Sequence, residues 1–217
     1  MTTNSWLLVG QIPQQLVDYG RTNFDELFKA HPQERANILM YVRPTDSESK
    51  RTWRTEQKDR WMKSYLQTPP LLQANETQRS YMFAGVPPNP TDSSSAVPLE
   101  FQPFVEWMMR TNPRYNQVII NWYDAEDHIP FHSDCELHTI DDHAVSIISL
   151  YENQLETRPM LLKRKGNGSE VTSVELLHGS ILFMCGAIQK EYRHRVPPGN
   201  CRRISISFRQ MKDTTTS

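Results

Sequence analysis

Beyond residue 115 the chain repeats one pattern: a short run of β-branched and aromatic residues, then a turn. The runs are NQVIINWY (116–123), HAVSIISLY (143–151), PMLLKRK (159–165), VTSVELL (171–177), SILFMC (180–185), EYRHRV (191–196) and RRISISFR (202–209). KGNGS and LHGS supply Gly-containing turns between them. Such runs read as strands, and many short strands at regular spacing predict a sandwich or a jelly-roll barrel. The pattern does not choose among all-β topologies.

Before residue 100 the pattern is mixed. SWLLVG (5–10), NILMYVR (37–43) and SYMFAG (80–85) read as strands, and PQQLVDYGRTNFDELFKAH (13–31) has helical spacing. Asn23 is a candidate cap for a helix opening at Phe24, Asp25 and Glu26. LEFQPFVEWMMR (99–110) predicts an amphipathic helix, whereas the prolines and serines of VPPNPTDSSSAVP (86–98) predict a loop. The basic stretch SKRTWRTEQKDRWMKSY (49–65) carries Trp53, Trp61 and Tyr65. Cations interleaved with rings suit single-stranded nucleic acid. The favoured reading is an amphipathic helix that buries Trp53 and Trp61 and turns its charges to water.

Composition narrows the class. At 217 residues the chain can bury one substantial core. Its 24 Lys and Arg nearly cancel 25 Asp and Glu, so any nucleic-acid surface must be a local patch. Three cysteines, Cys135, Cys185 and Cys201, suggest reduced thiols rather than a disulfide framework. The N-terminus lacks the pattern of a secretion signal, and no stretch approaches the ~20 apolar residues of a membrane span. The expectation is a soluble, intracellular protein, cytoplasmic or nuclear.

The candidate chemistry begins at HIPFHSDCE (128–136). His132 and Asp134 stand at i and i+2, which on an extended segment puts both on one face. An imidazole and a carboxylate so placed can be two ligands of a two-His-one-carboxylate metal site with open positions. Taken alone, the motif is more often an acidic turn. A third ligand must come from elsewhere, and His31, His128, His138, His143, His178 and His194 are the candidates. His178 sits in a turn. His194 ends a predicted strand and is closely followed by the cationic strand CRRISISFR, which ranks it first. In that strand Arg203, Ser205, Ser207 and Arg209 share one face, and Ile204, Ile206 and Phe208 the other. Arginines on a buried face need a counter-anion, and Arg recognises carboxylates bidentately. An edge strand with its polar face in water is the alternative. A metal on His132, Asp134 and His194, with an arginine nearby, suits a chelating dicarboxylate such as 2-oxoglutarate.

The sequence then resembles the AlkB-type Fe(II)/2-oxoglutarate dioxygenases. NWYDAEDHIPFHSD resembles that family's N-x-Y segment followed by H-x-D, and LLHGSILFM, QKEYRHRVP and RRISISFR resemble its later strands. The order and spacing agree over roughly residues 80 to 211. The resemblance implies a mainly β (α+β) fold: a double-stranded β-helix (jelly-roll) core with N-terminal helices and a nucleotide-recognition lid. It implies a single domain, with extension and lid at 1–98, helix and catalytic core at 99–211, and a disordered tail at 212–217.

The resemblance also implies Fe(II), 2-oxoglutarate and O2 as cofactor and co-substrates, and His132, Asp134 and His194 as iron ligands. Arg203 would hold the distal carboxylate, Asn121 and Tyr123 would hydrogen-bond the co-substrate, and Arg209 would brace the metal end. Tyr81 and Glu136 would contact substrate. The activity implied is oxidative demethylation of N-alkylated bases in DNA or RNA, single strands preferred, by a monomer without membrane association. A protein or small-molecule oxygenase and a non-catalytic binding module are the alternatives. Tyr151 departs from the family, which commonly has Gly there, and the loop that follows is longer.

Overall fold

The computed structural model describes residues 6–35, 37–42, 52–57, 60–66, 96–134, 145–166, 170–185 and 187–210. The strand expected at 80–85, most of the loop at 86–98, and the tail at 212–217 lie outside the described residues.

The main sheet has six strands in the order β1 (Trp6–Gln11), β10 (Ser180–Cys185), β7 (Val145–Tyr151), β12 (Arg203–Arg209), β5 (Gln117–Tyr123) and β4 (Trp61–Leu66). A second sheet of four runs β6 (Ile129–His132), β11 (Tyr192–Val196), β8 (Met160–Arg164) and β9 (Val171–Val174). All these pairings are antiparallel, and the two sheets form the jelly-roll core. β2 (Asn37–Val42) and β3 (Thr52–Gln57) pair separately.

The central strands β5, β7 and β12 are buried at every position. Alternate residues therefore serve two cores. Val118, Ile120, Trp122, Ile148, Leu150, Ile204, Ile206 and Phe208 join the cluster that takes in Val17, Phe24, Leu27, Phe104 and Met108 of the helices. Those helices are α1 (Gln14–Thr22), α2 (Phe24–Lys29) and α3 (Gln102–Thr111). Trp122 donates its indole N–H to the Leu27 carbonyl at 2.8 Å and so pins α2 to the sheet. A second cluster joins Val145, Ile147, Leu182 and Met184 to Met160, Leu162 and Val196 of the four-stranded sheet. Because β12 is central, the edge-strand alternative for its polar face is excluded.

Two local expectations are corrected. The stretch at 49–65 is not a helix: within it lie β3 and most of β4. β4 extends the open edge of β5, with Trp61 opposite Trp122, and that distant partner satisfies its backbone. Trp61 does pack inward, edge-on to Phe28 at 6.1 Å. Asn23 separates the two predicted helical segments, but its side chain does not cap α2. It instead donates Nδ2–H to the Tyr19 carbonyl at 2.9 Å, closing the C-terminal end of α1. The turn before β10 requires Gly179, with φ +75° and with Val17 and Gln11 where a Cβ would stand.

Candidate active site

β6 and β11 are neighbours, and their register places His194 directly opposite His132. The two rings lie 4.2 Å apart between centroids. Asp134 follows β6 and turns between them, with Oδ1 3.6 Å from His132 Nε2 and Oδ2 3.6 Å from His194 Nε2. One ligand atom from each of the three fits within 4.8 Å, and this is the group among the described residues able to hold a metal ion. His132 directs Nδ1 at the Pro130 carbonyl, 2.9 Å away, which fixes the proton there and leaves Nε2 with a free lone pair.

Electrostatics keeps this trio ready for a cation. Burial opposes ionisation of Asp134, but the Arg209 guanidinium, with His194 and His132, outweighs it and holds the carboxyl well below the usual carboxylate range. Arg209 Nη2 donates to Asp134 Oδ1 at 2.8 Å, and both side chains are buried. Burial pushes His194 down to about 4, more than Asp134 can offset. His132 is lowered by loss of water too, against the pull of Asp134, with Arg60 and Arg209 adding repulsion. Both imidazoles are thus held neutral near pH 7, as metal ligation requires. Gln189, on the short helix α4 (Ile188–Glu191), accepts the Asp134 backbone N–H at 3.0 Å and steadies the turn.

The opposite end of β12 has a different character. Arg203 is 1% exposed and gives Nη2–H to Ser149 Oγ at 3.1 Å. Its guanidinium lies 5.1 Å from the Tyr123 ring centre and 5.8 Å from that of Tyr151. Nε and Nη1 of Arg203 and the hydroxyl of Tyr123, its cross-strand partner, are buried without a hydrogen-bond partner among the described residues. A buried cation with two orphan donor atoms beside an orphan hydroxyl calls for an anionic acceptor that the described residues do not supply. A carboxylate fits this set, and the N/O/N trio fits an iron ion.

Six of the seven positions expected to bind metal or co-substrate thus converge in two clusters: the trio with Arg209, and Arg203 with Tyr123. Asn121, the seventh, lies between β4 and β12, accepting Arg60 Nε–H at 2.9 Å and giving Nδ2–H to Ser205 Oγ at 3.4 Å. Tyr81 and Glu136, and with them Cys135, His138 and His143, lie outside the described residues. His178 is turned away from the trio: Nδ1 accepts the Tyr151 N–H at 3.0 Å, and Nε2 faces the Val17 carbonyl at 3.3 Å. Tyr151 is a wall of the Arg203 cluster, its hydroxyl on the Arg158 carbonyl at 3.2 Å. Sequence reasoning missed Ser149, Arg60, Arg158 and Gln189. Ser149 alone carried a signal, as a polar residue on a strand otherwise apolar on that face. Arg158 is fully buried and braces the chain around the site through the carbonyls of Asp124, Asp127 and Cys201.

A family model described as the 2OG-Fe(II) oxygenase superfamily matches residues 24–209. No curated protein sequence matches significantly. Among solved structures, one described as that of OsALKBH1 is similar to this chain at a TM-score of 0.55 and 13% identity, covering 97% of this chain and 100% of that one. At that identity the likeness speaks for the fold.

Proposed function

Since the chain belongs to the 2OG-Fe(II) oxygenase superfamily, which uses Fe(II), 2-oxoglutarate and O2, we propose that it is an AlkB-like dioxygenase that removes N-linked methyl groups from nucleic-acid bases. The observation that carries the chemistry is the pairing of a compact His–Asp–His trio with a buried, underpartnered arginine. The nucleic-acid part is supported by the AlkB-like order of motifs and by the fold it shares with OsALKBH1.

In this reading His132, Asp134 and His194 hold the iron, which with O2 and 2-oxoglutarate supplies the oxidising power. Arg209 keeps Asp134 ionised and aimed. Arg203 and Tyr123 receive the distal carboxylate, and Asn121 offers its amide to the same molecule. The methyl C–H of the substrate becomes C–OH, and the N–C bond then breaks to release formaldehyde and restore N–H. Residues 1–98, which lend β1 and β4 to the main sheet of the core at 99–211, also supply the proposed extension and lid, and Tyr81 and Glu136 touch the base. The protein acts as a monomer in the cytoplasm or nucleus.

The test is a mass-spectrometric screen of methylated DNA and RNA oligonucleotides with Fe(II), ascorbate and 2-oxoglutarate. Demethylation with matching formaldehyde and succinate is expected. Single strands should be preferred, because extracting a base from duplex costs about a few kcal/mol more. Binding should weaken as salt rises. Tyr81→Ala should lower substrate use and leave 2-oxoglutarate binding unchanged. If no oligonucleotide raises succinate above background, the substrate is a protein or a small molecule instead.

A further inference from the structure

Arg60, just before β4, is one of the cations of 49–65 expected to face water, yet it is 5% exposed and stands against the co-substrate cluster. Its guanidinium lies 6.0 Å from the Tyr123 ring centre, and Nε donates to Asn121 Oδ1 at 2.9 Å. The segment is clasped from behind. Trp61 stacks with the His31 ring, 4.1 Å away, and has the Arg35 guanidinium over its ring at 4.2 Å. Arg35 in turn binds Asp127 at 2.6 Å and Asp124 at 3.1 Å, just beyond the end of the strand that carries Asn121.

The amide of Asn121 has two orientations of nearly equal shape, with oxygen and nitrogen exchanged. Ser205 Oγ does not choose between them, since a hydroxyl both donates and accepts. Arg60 does choose: a guanidinium N–H only donates, so Oδ1 must face it. Nδ2 is then fixed on the other side, with one N–H toward Ser205 and one remaining for another acceptor. Every oxygen of 2-oxoglutarate is an acceptor at neutral pH. A flipped amide would aim oxygen at oxygen.

We infer that Arg60 is a positioning residue for the co-substrate, which holds Oδ1 of Asn121 and thereby presents the amide nitrogen to 2-oxoglutarate. The segment leading into β4 and the co-substrate pocket are coupled through this one amide. The inference rests on the reading that Asn121 contacts 2-oxoglutarate, and it is independent of the final substrate.

The test is calorimetric titration of 2-oxoglutarate into the full-length protein loaded with Mn(II) in place of iron. Arg60→Met should raise the Kd about tenfold, the worth of one oriented hydrogen bond, with Mn(II) binding not weakened. Asn121→Ala should raise it comparably, and the double variant should be no worse than Asn121→Ala alone. Should Arg60→Met fold poorly, Arg60→Lys, still donor-only, should bind 2-oxoglutarate more tightly than Arg60→Gln, whose amide also accepts. An unchanged Kd in Arg60→Met, or equal affinities in the Lys and Gln variants, overturns the inference. So does an equal loss from Arg60→Met in the Asn121→Ala background, which would make Arg60 a direct ligand of 2-oxoglutarate. An unchanged Kd in Asn121→Ala instead removes the co-substrate role of Asn121, and the inference with it.

Discussion

Arg203 and Arg209 sit at the two ends of one strand, on one face, both buried, and the protein treats them oppositely. Arg209 is matched by the protein's own carboxylate, Asp134, at 2.8 Å. Arg203 has a serine hydroxyl at 3.1 Å and two aromatic faces, and no carboxylate among the described residues. One end of the strand is internally neutralised and holds a metal trio in place. In the proposed reading, the other keeps a desolvated cation for an anion. Burying an unpaired charge costs stability, so a fold tolerates it where a ligand repays the cost on binding.

The largest break in this comparison is at Asp134, which serves both metal and arginine. Asp134→Ala, like His132→Ala or His194→Ala, should abolish metal binding and turnover, measured by metal content and by succinate release. His178→Ala should keep the metal, because its ring serves Tyr151 and Val17. Metal lost from His178→Ala but kept by His194→Ala would sink the ligand assignment.

The two arginines should then separate. Arg203→Met removes the anion's buried partner, and affinity for 2-oxoglutarate should fall by about 3–5 kcal/mol, several orders of magnitude, with metal content retained. In the metal-free protein the order reverses. Arg209→Met strands the buried Asp134 carboxylate and should cost about 3–5 kcal/mol of stability, while Arg203→Met should cost far less. Urea midpoints of the two variants decide it: equal losses would mean that Arg203 is as well satisfied as Arg209.

The smallest effect is in pH. His194 has a pKa of about 4 in the folded protein against 6.5 in the unfolded chain, so between these values the unfolded state binds more protons. Stability present above pH 6.5 should therefore be lost as pH falls toward 4, by on the order of 3 kcal/mol from this residue. Asp134, held low by Arg209, stays ionised through that window. Metal-free wild-type protein should show a falling urea midpoint, and His194→Leu a shallower one. Parallel curves would remove His194 as the source.

Much of this was written in the order of residues. Alternation in RRISISFR settles which side chains of β12 share a face, because side chains on an extended chain alternate whatever the sheet around them. The spacing of His132 and Asp134 likewise carries over into the site through local geometry alone. Partnership was not legible. That β12 is central, with both faces buried, depends on β5 and β7 pairing to either side of it. That His194 meets His132 depends on the register of β11 against β6. The stretch at 49–65 misled because pairing decided it: β3 pairs with β2, and β4 with the edge of β5 far along the chain. Arg60 stood out only as one charge of that basic stretch and was expected in water, since its meaning lies in the donor-only geometry of one hydrogen bond to Asn121 across that same edge. The sequence by itself determined which groups could do chemistry and which faces they occupy, since both follow from local covalent geometry. Only the tertiary structure decided which charges are answered by the protein and which wait for a ligand, because that depends on long-range pairing that brings each donor to its acceptor or leaves it alone.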